Sequence, residues 1–180
     1  MLSSDISDFR ETSDWWFILF AILFIDLVVI LLGRHFPGTF GKELNIWYDK
    51  FGLSAVIADV LIIAIGFVIA RYAYSTFFAS SLGWSPLYFI TLLVLIQVLH
   101  DFLFYVGVIL PIPRGFNAMM DVFKDYSKGG MKIIISDALM MVGSALVAMW
   151  LKSQPDHILA SFGLLTAYAV PYALYTDSGL

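Results

Sequence analysis

Five long runs of mostly apolar residues constrain this chain more than any other feature. They fall at 15–32, 53–70, 87–110, 132–151 and 158–176. A helix rises about 1.5 Å per residue, so about 20 apolar residues cross the roughly 30 Å hydrocarbon core of a bilayer. The runs are continuous rather than alternating, which favours helices over a β-barrel. Only 13% of the residues are charged and the mean hydropathy is +0.88, whereas a soluble domain carries about 25% charge. The predicted fold is an all-α membrane protein with five transmembrane helices. A single transmembrane domain covers 15–180, and 1–14 is a short polar N-terminal tail. Asp5, Asp8, Glu11 and Asp14 stand in that tail, where a cleavable signal peptide needs positive charge.

The connections read clearly. Arg34-His-Phe-Pro-Gly38 ends the first run, Pro86 opens the third, Pro111-Ile-Pro-Arg-Gly115 closes it, and Gln154-Pro-Asp156 separates the last two. Arg10, Arg71 and Lys152 fall on the N-terminal side. Arg34, Lys42, Lys50, Arg114, Lys124, Lys128 and Lys132 fall on the other. The excess of Lys and Arg places those two longer loops and the C-terminus in the cytoplasm and the N-terminus outside. Aromatic belts are expected at Trp15, Trp16, Tyr72, Trp84 and Trp150 on one face. On the other they are expected at Trp47, Tyr48, Tyr126 and Tyr175.

Both longer loops contain an amphipathic stretch. Leu44, Trp47, Tyr48 and Phe51 follow the i, i+3, i+4, i+7 spacing, as do Met119, Val122, Phe123 and Tyr126. Such helices lie in the membrane interface. At a constant offset of 78, Glu43–Gly52 aligns with Asp121–Gly130, and Asp59 aligns with Asp137. The shared pattern is an acid, then Tyr-x-Lys-x-Gly, then Asp seven residues after the Gly. It suggests two parallel-repeat helical hairpins, 15–71 and 87–151, each with an interfacial helix, plus a fifth helix.

Four carboxylates stand inside the runs, Asp26, Asp59, Asp101 and Asp137, with Gln97 and His100 beside the third. A charge at membrane depth costs roughly 2.5–3.5 kcal/mol, which marks an intramembrane acid as a candidate for function. Counted along their runs, all four reach nearly the same level, about 10 Å in from the cytoplasmic edge. No Lys or Arg shares that level, although Arg34, Lys50, Lys128 or Lys132 can be imagined reaching in from the loops. Unpaired ionised carboxylates do not coexist in a low dielectric, so the layer must hold protons or a cation. No other cofactor is implied.

Three readings follow. Hydrogen-bonded Asp side chains can fasten helices in a structural membrane component, which is the leading expectation. Alternatively, the layer is the site of a proton- or cation-coupled transporter or channel. The third reading is a metal-assisted enzyme acting on lipid head groups. Against it, the chain has three histidines, of which only His100 lies in a run, and no HExxH, GxSxG or phosphate-loop motif. The absence of cysteine removes thiol chemistry and cysteine-held metals, and the net charge of −4 gives no reason to bind nucleic acid. Lys50 and Lys128 are candidate contacts for anionic lipid head groups. Gly33, Gly66 and Gly143 suggest close helix packing. Gly163-x3-Ala167 marks either a homo-oligomer face or, preferably, an internal contact.

The runs Gln97-Val-Leu-His-Asp-Phe-Leu-Phe-Tyr105, Pro113–Tyr126 and Ser136-Asp-Ala-Leu-Met-Met141 resemble uncharacterised multi-span membrane proteins encoded by large DNA viruses of algae and protists. That resemblance implies a host membrane or the inner membrane of a virion, with other membrane or capsid proteins as partners. It brings no activity and no catalytic residue.

Overall fold

The computed structural model describes residues 4–36 and 42–177, and among them the chain is helical with no strand. Five helices are long and apolar enough to cross a membrane: α1 (Asp14–His35), α3 (Leu53–Leu82), α4 (Pro86–Ile109), α6 (Met131–Lys152) and α7 (Asp156–Leu174). Two short amphipathic helices, α2 (Lys42–Phe51) and α5 (Ala118–Tyr126), stand in the two longer connections. The chain is thus an integral membrane protein with the five spans expected.

Local chemistry sets most boundaries. Ser85 caps α4, its hydroxyl accepting from the Tyr88 amide, with Pro86 in the first turn. Asn117 caps α5 by accepting from the amides of Met119 and Met120. Pro37 and Gly38, expected to end α1, lie outside the described residues. Gly52 and Gly130 each precede a span at positive φ, 54° and 56°, with ψ −132° and −127°, a region that glycine enters freely and that costs an L-residue about 1–3 kcal/mol. These two glycines are partners in the 78-residue offset.

One boundary departs clearly from expectation. The second span, predicted to end at residue 70, continues to Leu82 through a wide π turn at Tyr74–Phe78. Arg71 was placed at the water interface, where a charge normally stops a span. Instead its side chain is buried. Its guanidinium ion-pairs with Asp14 at 3.3 Å, donates to the carbonyls of Asp8 and Glu11, and lies over the Trp15 ring.

The partners come from a segment expected to be a free polar tail. Ile6 is buried in the bundle and Ser75 Oγ donates to the Ser7 carbonyl at 2.8 Å. Lys152 on α6 pairs with Asp14 at 2.6 Å and donates to the Asp5 carbonyl at 2.5 Å. The N-terminal segment therefore closes one end of the bundle. Its backbone carbonyls add to the Asp14 carboxylate as acceptors for two cations, Arg71 and Lys152.

Around the bundle, α1 packs on α3 and α6, and α4 packs on the same two helices. Helix α7 packs outside this ring against α1, and α2 packs on α5 at the end opposite the N-terminal segment. Glycine allows the closest approaches. A Cβ on Gly66 would overlap Met141 of α6, and one on Gly163 would overlap the Phe20 ring of α1, so Gly163 serves an internal contact. The apolar core divides into two clusters, one around Ile22, Phe67, Leu93 and Met141 and the other around Leu27, Trp47, Val56 and Val122. The intramembrane acids stand where the two clusters meet.

Candidate functional site: an acidic cleft under two short helices

The four acids sort into two arrangements. Asp26 on α1 is completely buried, and its Oδ1 accepts from the Tyr48 hydroxyl of α2 at 2.9 Å. Its other oxygen is buried without a partner. Asp59 on α3 accepts from the Trp47 indole N–H of the same short helix at 3.0 Å. Burial lifts the Tyr48 hydroxyl well above the ordinary phenol range, and the carboxylates of Asp59 and Asp26 lift it further.

The second arrangement is more open. On α4, Gln97 Nε2 donates to Asp101 Oδ1 at 2.7 Å and His100 Nδ1 lies 3.4 Å from the same oxygen. All three residues belong to one helix, and Asp101 Oδ2 is left without a partner. Asp137 on α6 makes no hydrogen bond to the described residues. Tyr126 of α5 stands in the position of Tyr48, and its hydroxyl likewise bonds none of the described residues. Burial raises the Tyr126 hydroxyl above its ordinary range, and the carboxylates of Asp137, Asp59 and Asp101 add to the effect. The phenol therefore sits within the field of three acids from three different spans.

Asp59, Gln97, His100, Asp101 and Asp137 border one cleft of about 920 Å³. Its roof is aromatic. Trp47 and Phe123 from the two short helices meet with ring centroids 4.8 Å apart, and His100 stacks on Phe104 at 5.5 Å. Among the described residues, no Lys or Arg lines the cleft. Asp26 stands behind this wall, covered by Tyr48, so the cleft gathers three of the four expected acids and not the fourth.

The basic residues go elsewhere. Arg34 pairs with Asp49 at 2.6 Å and donates to the Leu174 carbonyl, tying α1 to α2 and α7 without reaching the acids. Lys50 lies over the Phe51 ring and Lys128 pairs with Asp125 at 2.7 Å. The face of α5 carrying Asp121, Lys124 and Asp125 clasps the preceding loop. Asp125 pairs with Arg114, Asp121 accepts from the Gly115 amide, and Lys124 donates to the Leu110 carbonyl. Among the described residues, no three His, Asp or Glu side chains come close enough to share a metal ion.

Sequence reasoning placed Trp47, Tyr48 and Tyr126 in an aromatic belt. Trp47 and Tyr48 are instead buried, each donating to an acid. The signal for this role was available. The offset of 78 pairs Tyr48 with Tyr126 as well as Asp59 with Asp137, keeping one phenol and one acid eleven residues apart in both halves.

Fold and site together define a class: an integral membrane protein with an acidic cleft inside its bundle. No family model, curated protein or solved structure matches the chain, so its function is argued from the cleft.

Proposed function

We propose that the protein is a proton- or cation-coupled membrane transporter whose working groups are Asp59, Asp101 and Asp137. One observation carries this reading. Three carboxylates from three spans border a shared cleft that, among the described residues, no Lys or Arg lines. Acids serving as structural fasteners bond across helix interfaces, because an unpaired polar group in hydrocarbon is costly. Among the described residues, Asp26 and Asp59 are the two of the four intramembrane acids that bond to another helix, and both bond to the short α2 rather than to another span. Asp101 bonds within its own helix. Such groups exchange protons or a cation without dismantling the helix packing.

The same proposal places the longer loops in the cytoplasm, on the distribution of Lys and Arg. A host or virion membrane rests on the resemblance carried by residues between 97 and 141.

The test is ion flux in proteoliposomes across pH, comparing wild type with Asp59→Asn and Asp137→Asn. We expect wild-type flux of H⁺, Na⁺ or K⁺ and its loss in both variants, with helix content unchanged by circular dichroism. Absence of wild-type flux for all three ions at every pH would overturn the proposal.

A further inference from the structure

The cleft is far larger than an ion requires. Water occupies about 30 Å³ in the liquid, so an alkali ion with a few waters fills a small part of 920 Å³. Small-molecule sites run to about 300–1,000 Å³ and combine apolar walls with a few placed polar groups. This cleft has that make-up, with its polar groups all acids or their neighbours.

Helix α4 shows where the cleft opens. Residues 89, 93, 97, 101 and 105 recur every fourth position and form one stripe along the helix. Phe89, Leu93 and Gln97 are buried, at 0%, 0% and 5% exposure, but Asp101 is 23% exposed and Tyr105 37%. The stripe packs tightly as far as Gln97, comes away from the bundle at Asp101 and Tyr105, and is buried again at Ile109, 6% exposed. Leu99 and Phe102, both lining the cleft, are 57% and 63% exposed on the outer surface of the span, where lipid chains lie. The mouth therefore faces the bilayer.

We propose that the cleft binds a lipophilic organic monocation, an alkyl or aryl ammonium without phosphate, entering from the bilayer beside α4. Three features select it. Among the described residues, Asp101, Asp137 and Asp59 bring carboxylates to a lining that holds no Lys or Arg, with His100 as its one basic side chain, and one ionised carboxylate balances a monocation. Trp47, Phe104, Phe123 and Tyr126 present aromatic surface, and ammonium ions bind aromatic faces by about 0.5–2 kcal/mol each. A zwitterionic phospholipid also carries an ammonium group, but its phosphate would enter a site with three carboxylates and, among the described lining residues, no Lys or Arg. The inference rests on the transport reading for its site and adds the substrate class.

The experiment is equilibrium binding of radiolabelled tetrabutylammonium to the whole protein in phosphatidylcholine nanodiscs. Saturable binding is expected, weakened by about tenfold or more in Asp101→Asn or Asp137→Asn, the equivalent of about 1.4 kcal/mol per lost contact. A long-chain trimethylammonium should compete, and its phosphocholine counterpart and the uncharged alcohol should not. On unmodified protein, the ammonium should also slow labelling of Asp101 or Asp137 by a hydrophobic carbodiimide, which removes dependence on variants that fail to fold. No saturable binding, equal competition by the phosphocholine or the alcohol, or unprotected labelling would each overturn the inference. Proton or Na⁺ flux without ammonium binding would sink the substrate class and leave the transport reading. Ammonium binding without any flux would do the reverse.

Discussion

The α1–α2–α3 half and the α4–α5–α6 half share an element order, a positive-φ glycine before the second span, and a tyrosine on the short helix facing acids of the flanking spans. They nevertheless end in different states. In the first, Asp26 is sealed under Tyr48, and Trp47 holds Asp59. In the second, Asp101 and Asp137 border open space and the Tyr126 hydroxyl bonds none of the described residues. Two differences account for this. The position of Trp47 is occupied by Asp125 in the second half, and Asp125 turns outward to Arg114 and Lys128. In addition, α7 backs α1 through Phe24 and Phe162, ring centroids 5.0 Å apart, whereas α4 is the most exposed of the five spans. The same element order thus yields one half that seals Asp26 and lends only Asp59 to the cleft, and another whose two acids both border it, according to what packs outside each.

The sharpest way to break that comparison is to neutralise one acid that borders the cleft and one that is sealed behind it. Asp137→Asn should lower flux about a hundredfold or more, the scale of losing a proton-transfer group. Asp26→Asn should change flux by about twofold at most, because it lies behind the cleft wall. Equal losses would mean that the two halves work alike.

Stability should show the reverse order. Tyr48→Phe removes a buried partner of Asp26 and should cost about 1–3 kcal/mol. Tyr126→Phe should stay within about 0.5 kcal/mol. Denaturant titration in detergent, followed by far-ultraviolet circular dichroism, separates the two.

The glycine turns should behave alike. Gly52→Ala and Gly130→Ala should each destabilise by about 1–3 kcal/mol in the same titration, since each forces an alanine into a positive-φ conformation that glycine alone adopts freely. A marked inequality would argue against a shared turn.

The smallest effect concerns the clasp on α5. Arg114 and Lys128 hold the Asp125 carboxyl below its ordinary range. Its ion pairing is therefore fully present above the unfolded value near pH 4 and is lost as pH falls through the lower folded value. Hydrogen exchange at 110–117 should stay constant from pH 8 to pH 5 after correction for intrinsic rates, and accelerate only in stronger acid. Arg114→Ala should raise it at every pH.

Much of this architecture is legible before any fold is known. The apolar runs mark all five spans, and the spacing of Leu44, Trp47, Tyr48 and Phe51 marks α2. Counting residues from the end of each run brings four acids to one level. The length of α3 was not legible, because Arg71 looks like an interfacial charge until Asp14, Asp8 and Glu11 are seen to enclose it. Nor was the separation of Asp26 from the other acids, since depth along a helix says nothing about the direction a side chain faces.

Hydropathy and rise per residue are properties of one helix at a time, so the chain itself determines that it crosses a membrane five times and carries acids at a common depth. Which acids share a cleft, which are sealed by an aromatic hydroxyl or indole, and where the N-terminal segment docks depend on helix rotation and neighbours. Those relations arise only when separate segments pack, and tertiary structure alone decided them.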